Sequence, residues 1–183
     1  IVRLVGSEMC IRDSSKFADG DLLILCSSPE TIHSNDVHHP YRTQSNLLYL
    51  SGWTEPDAVM CSMKVNGKWQ THLFVQPKDT LKEIWEGRRP GIEGALENWP
   101  VDYAHSVDDL QEKLADFIAK SSKIMHRMGI MPEVDELVVK AVKKRDRARQ
   151  RYGSGPISIE DPSNLIAEML SLIHISEPTR RTI

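Results

Sequence analysis

Gly20-Asp21-Leu22-Leu23-Ile24-Leu25-Cys26-Ser27-Ser28-Pro29 decides the fold class. Five consecutive apolar residues between a Gly-Asp step and a Ser-Ser-Pro break have the length and flanks of a strand and show no polar alternation. Such a run belongs to a strand covered on both faces, in the interior of a sheet with helices on each side.

Outward from that strand, residues 47–50, 58–63 and 71–75 are further strand candidates. Asn66-Gly67, between the last two, reads as a hairpin turn because both residues tolerate positive φ. The three are expected to form a meander. Thr80-Leu81-Lys82-Glu83 has the form of a capping box, with the Thr80 hydroxyl serving a free N–H and Glu83 reaching back. A short helix then starts at Leu81, carries Trp85 and ends near Gly87. Ser106-Val107-Asp108-Asp109 opens a second helix whose Leu110, Leu114, Phe117 and Ile118 form one stripe. Residues 123–128 read as a strand ending at Gly129, and 133–151 as a third helix with Leu137, Val138, Ala141 and Val142 on one face. Gly153-Ser154-Gly155-Pro156 is a breaker before a last strand, 157–159. Asp161-Pro162 gives an N-cap and a first-turn proline to a final helix holding Leu165, Ile166 and Met169. Strands interleaved with helices, one hairpin among them, predict an α/β fold: a mixed sheet flanked by helices.

A chain of 183 residues, 40% hydrophobic and 27% charged, suits one well-buried domain. Its longest apolar runs are far too short to span a bilayer, so no membrane partner is expected. Cys10, Cys26 and Cys61 follow no zinc or disulfide spacing, and Cys26 and Cys61 lie in apolar runs, as buried thiols in a reducing cytoplasm do. No export signal is read at the N-terminus, and a cytoplasmic location is expected.

No hydrolytic machinery can be assembled from these residues. His33, His38, His39, His72, His105 and His126 are scattered, with no His-Glu-x-x-His or Cys-x-x-Cys, so no metal ligand and no catalytic residue is assigned. The adjacent His38-His39 point to opposite sides of an extended chain and make a poor chelate. No Gly-x-Ser-x-Gly elbow occurs. Lys140, Lys143, Lys144, Arg145, Arg147, Arg149 and Arg151 make the third helix basic, yet the chain carries a net charge of −3, so a solvated face is expected rather than a nucleic-acid partner.

Two separated motifs carry a family resemblance. His39-Pro40-Tyr41-Arg42-Thr43-Gln44-Ser45-Asn46-Leu47-Leu48-Tyr49-Leu50-Ser51-Gly52-Trp53-Thr54-Glu55-Pro56-Asp57-Ala58-Val59 is followed by Glu83-Ile84-Trp85-Glu86-Gly87-Arg88-Arg89. Together they resemble the N-terminal, non-catalytic domain of bacterial Xaa-Pro aminopeptidases (aminopeptidase P), whose relatives include prolidase and creatinase. The resemblance implies a ribonuclease-H-like topology over residues 15–160. It further implies a linker helix beginning at 161–169 and, beyond it, a pita-bread domain where two Asp, one His and two Glu hold two metal ions, usually manganese. Residues 1–14 and 170–183 resemble translated adapter DNA and are set aside as tails.

The resemblance also implies a homodimer or homotetramer acting on peptides with proline in second position. On spacing alone Trp85 is a packing residue; the resemblance makes it a substrate-pocket wall reaching into a neighbouring subunit. Arg88 and Arg89 either hold the loop after it or meet a substrate terminus, with the structural role favoured. Tyr41, Arg42 and Asn46 are interface candidates or a clamp within the domain, and the residues do not separate the two. Glu55-Pro56-Asp57 is turn chemistry. The alternatives are the N-terminal domain of a prolidase or creatinase relative, and a stand-alone interaction module that binds nucleic acid through the basic third helix.

Overall fold

The computed structural model describes residues 17–34, 37–152 and 158–176. Strand β1 (Asp21–Cys26) is buried at every position, as its unbroken apolar run requires. It lies in the middle of a six-stranded sheet formed with β4 (Val59–Val65), β5 (Lys68–Val75), β6 (Tyr103–Ser106), β7 (Lys123–His126) and β8 (Ile159–Glu160). A separate two-stranded hairpin, β2 (Ile32–Ser34) and β3 (Val37–His38), follows β1.

The sheet order is β6-β5-β4-β1-β7-β8. β4 runs antiparallel to both of its neighbours, while β1–β7, β7–β8 and β5–β6 pair in parallel. Without the added edge strand β6, the five remaining strands have the 3-2-1-4-5 order, with strand 2 reversed, that a ribonuclease-H-like topology demands.

The period-2 pleat sends alternate β1 side chains to opposite faces. Leu23 and Leu25 join a core that includes Leu47 and Leu50 of α1 (Ser45–Ser51), Ala95 of α3 (Gly91–Asn98), and Ile166 and Met169 of α6 (Ser163–Ser176). Leu22, Ile24 and Cys26 join the other, which holds Leu110, Leu114 and Ile118 of α4 (Leu110–Lys120) and Val134 and Val138 of α5 (Pro132–Tyr152). Each fully buried Leu or Ile contributes about 1.5–3 kcal/mol. Among the described residues, no helix is long and apolar enough to cross a membrane.

Several sequence expectations change. Residues 47–50 are not a strand but the middle of α1. The Gln44 side chain caps that helix by accepting from the N–H groups of Asn46 and Leu47, at 2.8 and 3.0 Å. Gly52, at φ 71°, closes it by donating to the Leu48 carbonyl. A short apolar run does not distinguish strand from buried helix; the flanking caps do. The meander therefore reduces to one hairpin, β4–β5, turned by Asn66 (φ 52°) and Gly67 (φ 74°) as expected.

Helix α2 (Thr80–Glu86) begins one residue early, and its cap is Asp79, whose carboxylate accepts from the Leu81 N–H at 3.0 Å. Glu83 instead accepts from the Arg89 N–H, so the capping box does not form as read. The strand read at 123–128 stops at His126. The breaker at 153–156 and residue 157 lie outside the described residues; of the strand read at 157–159, only Ile159 enters β8. Asp161 does cap α6, accepting from Ser163 N–H at 2.8 Å, and that helix runs on to Ser176. Helix α3, strand β6 and the β2–β3 hairpin had no counterpart in the sequence reading.

Candidate functional site

Between β5 and β6 the chain leaves the sheet for residues 76–102, and this excursion carries the second motif. Its root is fixed by polar contacts. The Gln76 side-chain amide donates to the Asp57 carboxylate, and Asp57 sits at φ 51° in the Glu55-Pro56-Asp57 turn. Asp79 then starts α2.

Helix α2 gives no described residue to either core. Leu81 is 75% and Ile84 71% exposed, the two most exposed large apolar side chains described. They sit one turn apart, on one face. Trp85 belongs to α2, but its side chain lies outside the described residues, and so does that of Glu86.

After α2, Gly87 turns the chain at φ 91°, a conformation that strains any residue with a Cβ. Arg88 is exposed; Arg89 is half-buried and its N–H donates to the Glu83 carboxylate at 3.2 Å, closing the loop back on the helix. Gly91, at φ 66°, leaves room for Lys78, since a Cβ there would lie 2.7 Å from Lys78 Cγ. The far end of the excursion is anchored by Ala95 in the core and by Trp99, whose indole N–H donates to the Gly52 carbonyl at 3.0 Å and whose ring meets Trp53 at 4.7 Å. A firmly held base thus carries a short helix whose described apolar side chains face water.

The first motif builds a different structure. The Tyr41 hydroxyl lies 3.1 Å from the Ser28 carbonyl and 3.4 Å from that of Glu55, so it clamps two loops of its own domain. Arg42 is exposed, and Asn46 is half-buried in the first turn of α1. Tyr41 sits on the loop entering α1, and Arg88 and Arg89 on the excursion, so the two motifs occupy separate segments.

Two histidine arrangements escaped the sequence reading because their partners are distant in the chain. His126 is buried, with Nε2 2.7 Å from an Asp135 oxygen and Nδ1 3.4 Å from the Ile24 carbonyl. The other Asp135 oxygen accepts from the Gly129 N–H at 2.7 Å, joining β7 to the first turn of α5. His72 and His105 face each other across β5 and β6, 3.0 Å apart.

Burial first, and the nearby Asp135 second, push the Cys26 thiol up to about 12; burial raises that of Cys61 further. Both remain protonated and unreactive at neutral pH. Among the described residues, no three His, Cys, Asp or Glu side chains are placed to hold a metal ion. Of the basic residues in α5, Lys140 pairs with Glu136 at 2.7 Å, and the Arg145 guanidinium donates to the Ile118 and Ser121 carbonyls at the end of α4.

The model of the aminopeptidase P N-terminal domain matches residues 10–126. The chain belongs to that family. It is 29% identical over 154 residues to the Xaa-Pro aminopeptidase of Escherichia coli, a match spanning 82% of this chain and 34% of that protein. The solved structure of proline aminopeptidase P II from Yersinia pestis superposes with a TM-score of 0.79 at 31% identity, covering 90% of this chain and 39% of the other. A zinc-substituted E. coli aminopeptidase P in complex with product gives a TM-score of 0.77 at 26% identity, over 88% and 36% of the two chains. This aminopeptidase P N-terminal domain thus spans 34–39% of these three relatives, and the fold expected from the two motifs is the fold observed.

Proposed function

We propose that this domain is the N-terminal part of a manganese-dependent Xaa-Pro aminopeptidase, where it assembles subunits and narrows the entrance to the active site of a neighbouring one. The observation that carries the proposal is α2, with Leu81 and Ile84 75% and 71% exposed on a helix that gives no described residue to either core. Leaving such side chains in water forgoes about 1.5–3 kcal/mol each, a cost recovered when a second surface covers them. Leu81, Ile84 and Trp85 follow the i, i+3, i+4 spacing of a single helix face.

A rigid indole at that position suits the substrate. A prolyl peptide offers a flat apolar ring and a tertiary amide without an N–H, so recognition by shape replaces recognition by hydrogen bonding. Trp85 supplies the wall, Arg88 an exposed cation three residues further along the chain, and the Arg89 N–H the brace that holds the loop to Glu83. Arg42 is the exposed cation of the first motif for a homodimer or homotetramer contact, beside the clamp made by Tyr41 and the helix start at Asn46.

The described residues do not bring together a metal site. The metal chemistry, activation of water and polarisation of the scissile carbonyl, is assigned to a catalytic domain beyond this chain. The free, buried Cys26 and Cys61 support a reducing cytoplasmic location. The chain by itself is expected to show no cleavage of an Xaa-Pro peptide in the presence of manganese; metal-dependent turnover by residues 1–183 would overturn the assignment.

A further inference from the structure

Strands β5 and β6 flank the excursion, and a pair of imidazoles joins them at its base. His72 Nδ1 and His105 Nε2 stand 3.0 Å apart, with ring planes 14° apart and centroids separated by 5.3 Å. That combination places the rings edge to edge, one donating its N–H to the lone pair of the other. Tyr103 lies flat against His72 at 4.6 Å and is itself 47% exposed, while Phe117 of α4 tilts onto the same ring at 4.7 Å. β6 is a four-residue edge strand with β5 as its only ladder partner among the described residues. Beyond the ladder, β6 is held to β5 by the imidazole pair, by the ring contacts of Tyr103 with His72 and of His105 with Phe74, and by the preceding Asp102, which exchanges two bonds with the Thr71 backbone at 2.8 and 3.0 Å.

We propose that the His72–His105 hydrogen bond is an acid-released clasp: it holds the base of the excursion shut while the pair carries at most one positive charge, and it opens when both rings are protonated. A first proton leaves an imidazolium donating to a neutral imidazole. A second sets two N–H groups and two like charges face to face at 3.0 Å, with no lone pair between them.

The surroundings oppose that second charge. From β4, Cys61 stands opposite His72 in register, its thiol held neutral by burial. From α4 come the Lys113 ammonium and the apolar Phe117 ring, and from the turn before α4 comes Asp109; Asp102 and Tyr103 face the pair from the β6 side. Burial, then His105 and Lys113, outweigh the pull of Asp102 and lower His72 from 6.5 to about 4. Burial and Lys113 lower His105 against the pull of Asp109. Because the folded state favours the neutral rings, the contribution of the clasp is complete above 6.5 and is lost as the pH falls towards about 4. The contacts all lie within this chain, so the clasp works whether or not α2 meets a second subunit.

Hydrogen exchange on the whole chain, corrected for intrinsic rates, tests this at about pH 7 and about pH 4.5. Protection of the Tyr103–Ser106 amides is expected to fall about tenfold or more in acid while that of Asp21–Cys26 holds. In His105→Gln the amide oxygen accepts from His72 in either protonation state, so the acid loss should shrink to about twofold or less. Unchanged β6 protection in the wild type, or an equal acid loss in His105→Gln, overturns the clasp. Ring-nitrogen NMR of the unmodified protein gives a second readout. Uptake of the second proton should coincide with loss of β6 protection, whereas two independent titrations at ordinary histidine values with β6 intact contradict it.

Discussion

A buried imidazole needs partners for both nitrogens, and His126 obtains them from different parts of the chain: Ile24 of β1 on one side and Asp135 of α5 on the other. Removing one partner is costlier than the bond itself, because the remaining N–H stays desolvated. Asp135→Ala is therefore expected to destabilise the domain by about 1–3 kcal/mol. On a chain of this size that is a fall in Tm of about 3–10 °C, checked by thermal unfolding. An unchanged Tm would mean that the bond contributes nothing. None of this was legible in the sequence, where His126 is one of several scattered histidines and Asp135 reads as an acidic residue early in a helix. The same limit hid His72 and His105, 33 residues apart, which only the parallel pairing of β5 with β6 brings together. Tyr41 went the other way: the motif placed it in an interface or a clamp, and the geometry fills its hydroxyl with two carbonyls of its own domain.

At the scale of elements, what flanks a run decided more than the run itself. Residues 22–26 were readable as a central strand because both sheet faces are covered, and 66–67 as a hairpin because positive φ is required there. Residues 47–50 misled because Gln44 is an uncommon cap and Gly52 a helix stop that also looks like a turn. Helix α3 was missed because it begins at Gly91 behind Pro90, a start with no side-chain cap. For α2, exposure is the informative property. Leu81→Ser combined with Ile84→Ser is expected to change the stability of the domain by no more than about 0.5 kcal/mol, since neither side chain is buried in it. The same pair should shift the longer protein towards smaller species in sedimentation velocity. A large loss of stability in the isolated domain, with assembly intact, would show that this face belongs to its own fold.

At the scale of the molecule, alternation along β1 divides the hydrophobic residues into two cores, and the helices on each face close them. That arrangement takes Ala95 and Trp99 from the far end of the excursion of residues 76–102 but no described residue of α2, which is free to differ in chemistry from the sheet that holds it. The fold class was legible because it rests on patterning, and the family because it rests on two spaced motifs. The exposure of α2 was not, because the spacing of Leu81 and Ile84 does not tell a buried helix face from an open one. Trp85 concentrates the claim. Measuring kcat/KM for an Xaa-Pro peptide in the longer protein carrying Trp85→Ala tests it most directly. A fall of about tenfold or more, equivalent to about 1.4 kcal/mol of transition-state stabilisation, is the predicted result. An unchanged kcat/KM would contradict the claim that this helix walls the active site of a neighbouring subunit.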